Sequence, residues 1–194
     1  MNNHSKEIWG AITVALGTIE SAIGSTPLKE LSYDMRYNLQ LMGNVLQATG
    51  NGLEADGQDT ISLEMLGDEI QAIGNITVIS GMLIYLNQTE GQKLIITGNW
   101  LQALGSFVAL TDEFEDTTES GRAYNIIGNL LQGIGNALQA MSGTYQLEQT
   151  TRLNTNDVNL LGVLGNWVQA IGSVVTLIGQ IKEETEEVEE GNSE

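Results

Sequence analysis

Large apolar residues along this chain recur on a period of seven, interrupted by glycine, and never alternate for long on a period of two. The repeating heptad reads GNVLQATG from Gly43, GDEIQAIG from Gly67, GNWLQALG from Gly98, GNLLQGIG from Gly128 and GNWVQAIG from Gly165. A first copy, GAITVALG from Gly10, keeps the spacing and loses the polar residues. Each copy belongs to a triple of glycines seven apart: 10, 17, 24; 43, 50, 57; 67, 74, 81; 91, 98, 105; 121, 128, 135; and 165, 172, 179. Eighteen of the 23 glycines fall in this pattern, which makes the repeat the first determinant of the fold.

Seven residues are two turns of an α-helix, and Ala, Leu, Ile, Gln and Met dominate the segments, so the pattern predicts helices. A β-solenoid with Gly-Asn turns is the rival, and it fails for want of alternation. The expectation is an all-α protein, an antiparallel bundle of about six helices near 5–24, 28–55, 60–88, 90–111, 118–147 and 156–187. Residues 1–187 form one repetitive helical-bundle domain in this reading, and 188–194 an acidic frayed tail. Ser25-Thr26-Pro27 reads as the start of the second helix, with proline in its first turn. Thr89 with Gln92 and Asp116 with Glu119 have capping-box spacing, and residues 154–157 form a cap cluster.

With the first glycine of a heptad at 0° and about 100° per residue, two faces separate. Gly, Gln, Asn and Ala occupy one arc. The other holds Val45, Trp100, Leu130 and Trp167, then Thr49, Ile73, Leu104, Ile134 and Ile171, then Leu46, Ile70, Leu101, Leu131 and Val168. The bulky arc is expected to be the core face. Each helical glycine costs about 1 kcal/mol relative to alanine, so three per helix imply close backbone approach at Gly43, Gly50, Gly67, Gly74, Gly98, Gly105, Gly128, Gly135, Gly165 and Gly172. Gln47, Gln71, Gln102, Gln132 and Gln169 would then bond to facing asparagines or to backbone carbonyls. The alternative is that the amides form the wet face.

Charge changes the picture by exclusion. The formal net charge is −18, from 25 acidic and seven basic residues, which argues against nucleic acid and against anionic headgroups as partners. There are no cysteines and one histidine, His4, in a frayed, solvated terminus. A hydrolytic triad or thiolate metal site is therefore not expected, nor is a cofactor, and the chain reads as no enzyme. Asp112, Glu113, Glu115, Asp116 and Glu119 lack the ligand spacing of a calcium loop and read as a solvated connection. Trp100 and Trp167 hold equivalent positions, which suggests core packing, with an exposed contact patch as the alternative. The stretch Ile8–Ile19 follows Glu7 and fits the repeat, so it reads as part of the fold rather than a cleaved leader.

Residues 70–89, 94–111, 123–147 and 158–181 carry no charge, and their lengths approach those of membrane spans. Their amides would be costly against lipid. The motif G-x-W-[ILV]-Q-A-[ILV]-G at Gly98 and Gly165, with SAIGSTP at Ser21–Pro27, resembles a family of repetitive, glycine-heptad proteins of unknown function from Bacillus-like Firmicutes. That resemblance implies a bacterial protein, cytoplasmic or cell-associated, and brings no catalytic residues with it. The functional expectation is a structural or interaction protein, self-associating through its small Gly/Ala/Asn/Gln faces. A membrane-active bundle, inserting conditionally, is the runner-up.

Overall fold

The computed structural model describes residues 2–58, 60–84, 87–112, 114, 121–148 and 155–191. It is all-helical: α1 (Asn3–Ser25), α2 (Tyr33–Gly57), α3 (Leu63–Leu83), α4 (Gln88–Asp112), α5 (Arg122–Glu148) and α6 (Thr155–Gly191). Consecutive helices run antiparallel, and α6 returns to pack against α1, so the six close into a ring.

The starts of the helices follow from short polar side chains that take up free backbone N–H groups. Asn2 Oδ1 accepts from Ser5 N at 2.9 Å, Ser32 Oγ from Met35 N at 3.2 Å, Ser62 Oγ from Met65 N at 2.9 Å and Asn87 Oδ1 from Glu90 N at 2.9 Å. Asp34, Glu64 and Glu90 in the first turns complement the helix dipoles. Ser62→Ala should cost about 1 kcal/mol of stability, read as a lowered denaturation midpoint.

Two expected starts move. Thr26 closes α1 instead of opening α2: it is extended, with ψ 127°, as a residue before proline prefers, and its hydroxyl donates to Ala22 O at 2.7 Å. The chain turns through Pro27 and re-enters a helix only behind Ser32. Asn87, not Thr89, caps α4, because it stands three residues before the free N–H of Glu90. The Asp116–Glu119 pair lies outside the described residues, as do Asn154 and most of the acidic connection after α4.

The glycines explain the pairing of helices. A Cβ placed on Gly17 would lie 2.6 Å from Gly43 O, and one on Gly43 would lie 2.5 Å from Gly17 O. The same reciprocity joins Gly10 with Gly50, Gly67 with Gly105, Gly74 with Gly98, Gly81 with Gly91, Gly128 with Gly172 and Gly135 with Gly165, always at 2.5–2.9 Å. No side chain fits there, so the backbones touch, and Cα–H groups meet carbonyls across the seam. Gly121 has a second constraint, since its φ of 89° favours glycine by itself. The six copies therefore assemble as three glycine-zipped hairpins, α1/α2, α3/α4 and α5/α6.

Where the core sits reverses the sequence expectation. The bulky arc faces outward: Trp100 is 47% exposed, Trp167 40%, Leu104 51% and Ile171 55%, and Val45, Thr49, Ile73, Leu130 and Ile134 are exposed with them. Leu46, Ile70, Leu101, Leu131 and Val168 are half-buried at the edges between helices. Among the described residues the buried apolar side chains are only alanines and two valines, Val14 and Val78. The cause is geometric. Once the glycine seam is turned to the partner helix, the adjoining Gln/Asn/Ala arc points at the ring's axis, and the opposite arc has nowhere to go but out.

Candidate functional site

The axis is where the heptad register puts equivalent residues of three hairpins together. Gln47, Gln102 and Gln169 come from the same heptad position on α2, α4 and α6, and they meet. Gln169 Nε2 donates to Gln47 Oε1 at 2.7 Å and, more weakly, to Gln102 Oε1 at 3.4 Å. Gln139 Nε2 donates to Gln169 Oε1 at 2.8 Å, and Gln47 Nε2 to Ser21 Oγ at 3.2 Å. One amide network ties all three hairpins together at this level.

The same position on the odd helices, Val14, Gln71 and Gln132, lies one layer closer to the end of the bundle that holds the start of α1. There Ser106 Oγ donates to Gln71 Oε1 at 3.1 Å, and Gln132 Nε2 to Thr176 Oγ1 at 2.9 Å. Thr18 and Ser173 share a hydroxyl hydrogen bond of 2.5 Å between α1 and α6. The expected partners of the glutamines, asparagines and main-chain carbonyls, are thus mostly replaced by other glutamines and by hydroxyls. The reason is that the facing elements at each level are equivalent helices, which bring like residues together. Gln40, which donates to Gly24 O at 3.1 Å, is the case that follows the expectation.

Beyond this layer a cavity of ≈ 20 Å³ opens on the axis, enough for one water. All six helices line it, with Glu54 and Asn51 from α2, Glu64, Asp68 and Gln71 from α3, and Thr176 and Gln180 from α6 on its polar wall. Glu7 of α1 accepts from Gln180 Nε2 at 2.9 Å near by. Asp68 is buried, with only a long 3.4 Å contact from Gln71 Nε2. Burial, reinforced by the charges of Glu54, Glu64 and Glu7, pushes the Asp68 carboxyl well above the usual carboxylate range. Burial, then Glu64, does the same to Glu54.

No family trait prepared for this acid pair, but one local signal did. The third copy, GDEIQAIG, breaks the heptad pattern at Asp68, where most copies have asparagine. Among the described residues no group of three His, Asp or Glu side chains is placed to hold a metal ion. His4 sits half-buried in the first turn of α1.

The acid pair gives a signed pH dependence. A carboxyl raised in the fold is protonated there while the unfolded chain, with a pKa near 4, has already ionised. Stability is therefore greatest below about pH 4 and falls as pH rises through the raised folded value. The net charge of −18 acts in the same direction, so the diagnostic is the difference between variants. Melting temperature should fall from pH 5 to pH 8 in the natural chain, and Glu54→Gln with Asp68→Asn should flatten that slope and stabilise the protein at pH 8.

Residues 5–187 match the model of the family of unknown function DUF6944. The chain belongs to that family. The match spans all six helices, so the glycine hairpins and the axial amides both lie within the region that defines DUF6944. No curated protein matches the chain, and no solved structure does.

Among the described residues of this DUF6944 protein, three helices are long and apolar enough to cross a membrane: α1 over Asn3–Ser25, α4 over Gln88–Asp112 and the Asn159–Glu183 part of α6. The first lies beside the third in the ring, with α4 on another side, so the apolar surface is not confined to one patch. Trp9 and Tyr124 stand exposed toward the cavity end and Tyr33 toward the opposite end.

Proposed function

We propose that this protein is a membrane-embedded helical bundle whose apolar exterior is solvated by lipid. The observation that carries the reading is the inversion of the fold. Its largest fully buried side chains are Asn75, Asn125, Asn136, Thr18 and Ser106, while three tryptophans and many Leu and Ile side chains are exposed. Water drives the opposite distribution, at about 25 cal/mol for each Å² of apolar surface buried. Lipid exerts no such force between helices, and small-residue seams with interhelical amides are how helices associate there. The charge-free stretches 37–53 on α2 and 94–111 on α4 would span roughly 26 Å at 1.5 Å per residue, close to a hydrocarbon core of about 30 Å. The amides that argued against lipid in the sequence are turned away from it.

A second reading has its own support, since α2, α3 and α5 do not reach the hydropathy of a span. In that reading copies of the chain associate in water through the bulky arcs. The small Gly/Ala/Asn/Gln faces cannot serve that association, because the hairpin seams and the axis take them up. Flotation separates the two. The purified chain mixed with phosphatidylcholine liposomes should rise with the vesicles and resist extraction by carbonate. Recovery at the bottom of the gradient as a large detergent-free oligomer would reject the lipid reading in favour of assembly in water.

A further inference from the structure

At one end of the axis the amides give way to carboxyls. Gln71 lies with its Cγ over Gly105 of its hairpin partner, Gln102 over Gly74 and Gln132 over Gly172. Glu54 lies over Gly10, and Glu7 over Gly57, in the same way. At this end of the α1/α2 hairpin, glutamates therefore take the place that glutamines take elsewhere. A protonated glutamic acid has nearly the shape of glutamine and, like it, both donates and accepts hydrogen bonds. Ionised, it only accepts. Packing of the kind seen among the amides is open to these acids only while they hold their protons.

The boundary between α2 and α3 is where their ionisation acts. Glu54 reaches the cavity from α2, and Glu64 and Asp68 reach it from α3. These helices belong to different hairpins, so the reciprocal glycine contacts that zip α1 to α2 and α3 to α4 do not hold them together. Glu7 of α1 adds a further charge beside Asp68, and it accepts from Gln180 Nε2 of α6 at 2.9 Å. The cavity walls from α4, α5 and α6 are Ala109, Asn129, Gln132, Ser173, Thr176 and Gln180. Among the described residues no base lines the cavity. The bases of this end are engaged elsewhere. Lys6 Nζ pairs with Asp56 at 2.9 Å, Arg122 Nη2 donates to Phe114 O at 3.1 Å, and Lys182 lies over the Tyr124 ring. His4 stands in the first turn of α1. Asp112 of α4 accepts from Glu64 N at 3.3 Å, which holds the start of α3 to its own hairpin. At the far end of the same boundary Tyr37 Oη of α2 donates to Met82 O of α3 at 2.6 Å.

We propose that the acidic end of the axis is a pH-operated latch: protonated carboxyls close the α2/α3 boundary, and their ionisation parts the two helices there, about the Tyr37–Met82 contact, so that water enters the cavity. The inference goes beyond the lipid reading and holds whichever solvent bathes the outer surface. Ionised, Glu54 faces Asp68 and Glu64 across the boundary as like charges in a space for one water. Parting the helices hydrates these charges and leaves the two glycine seams intact. Burial raises the proton affinity of both Glu54 and Asp68, so the closed form holds protons that the open form releases. Rising pH then favours the open form, by up to about tenfold per pH unit for each proton released.

The test is a set of distances measured between pairs of spin labels on the full chain. The natural sequence has no cysteine, so introduced cysteines are labelled alone. Gly52→Cys with Leu66→Cys, both exposed, spans the boundary at the acidic end. Met35→Cys with Leu83→Cys spans it at the Tyr37 end, and Leu66→Cys with Thr111→Cys stays within the α3/α4 hairpin. From pH 5 to pH 8 the first pair should gain a longer distance, while the other two keep theirs. Adding Glu54→Gln and Asp68→Asn should hold the first pair at its pH 5 distance throughout. Hydrogen exchange of the natural chain reads the same event without substitution: corrected for the intrinsic rate, residues 63–71 should lose more protection over this range than residues 125–136. A first pair that does not respond to pH would overturn the latch, as would a response that survives the two amide substitutions. Equal lengthening of all three pairs, or equal loss of protection in both segments, would overturn it as well, by indicating general loosening of the bundle.

Discussion

Gly98→Ala is expected to destabilise the bundle by about 2 kcal/mol or more, within the usual range for overpacking, although alanine is the better helix former. A methyl at Gly98 would stand 2.5 Å from Gly74 O and 2.8 Å from Val78 N on α3. Both are backbone atoms of a helix, and neither can swing aside as a side chain would. Accommodating the methyl means separating α3 from α4 along the whole seam, which loosens the contacts at Gly67/Gly105 and Gly81/Gly91 as well. Gly52 supplies the control, because nothing lies within 4 Å of a Cβ built there. Gly52→Ala should therefore stabilise the protein by roughly 0.4–1 kcal/mol, from helix propensity and a less flexible unfolded chain. Denaturation midpoints of the two variants in one solvent should move in opposite directions. If both rise, the glycine seams are not close contacts and the hairpin architecture is wrong.

This contrast also marks what a sequence of this kind discloses. The helices, their number and the heptad-spaced seams follow from periodicity and from the cost of helical glycine, which has to be offset by something. The pairing into hairpins is implicit in the glycines too, since 10 and 17 meet 50 and 43 in reverse order as an antiparallel turn requires. Which face turns inward is not disclosed. A helix with Trp100 on one side and Gln102 and Gly105 on the other is equally amphipathic in water and in lipid, and only the solvent decides which face is buried. The assumption of water put Trp100 and Trp167 in the core, where the fold has Gln102 and Gln169. The acidic cavity was half visible. Asp68 stood out as a break in the repeat, but Glu54 carries no such signal, because its place on the axis depends on α2 and α3 being neighbours in the ring. Helix starts moved where two capping sequences competed, as at Thr26 and Ser32, and only the path of the connection chose between them.

The choice of solvent can be tested by the sign of a substitution. Leu104 on α4 and Ile171 on α6 are half exposed, lie near the middle of their charge-free stretches and belong to helices that are not adjacent in the ring. In water, arginine at such sites is close to neutral, within about 0.5 kcal/mol each, and improves solubility. At the centre of a bilayer each arginine costs about 2.5–3.5 kcal/mol on insertion scales. The two sites are separate enough for the costs to add, so Leu104→Arg with Ile171→Arg should lose roughly 5–7 kcal/mol of membrane partitioning. That loss is large enough to move the protein from the floating to the sedimenting fraction of a liposome gradient. Thr185→Arg, exposed near the acidic end and beyond the charge-free stretch, should float like the natural chain. A double variant that still floats, or a natural chain that is monomeric in buffer and gains nothing from lipid, would place the apolar belt against something other than a bilayer. The polar axis would then serve to hold three hairpins in register in water, through the hydrogen bonds that join Gln47, Gln102 and Gln169.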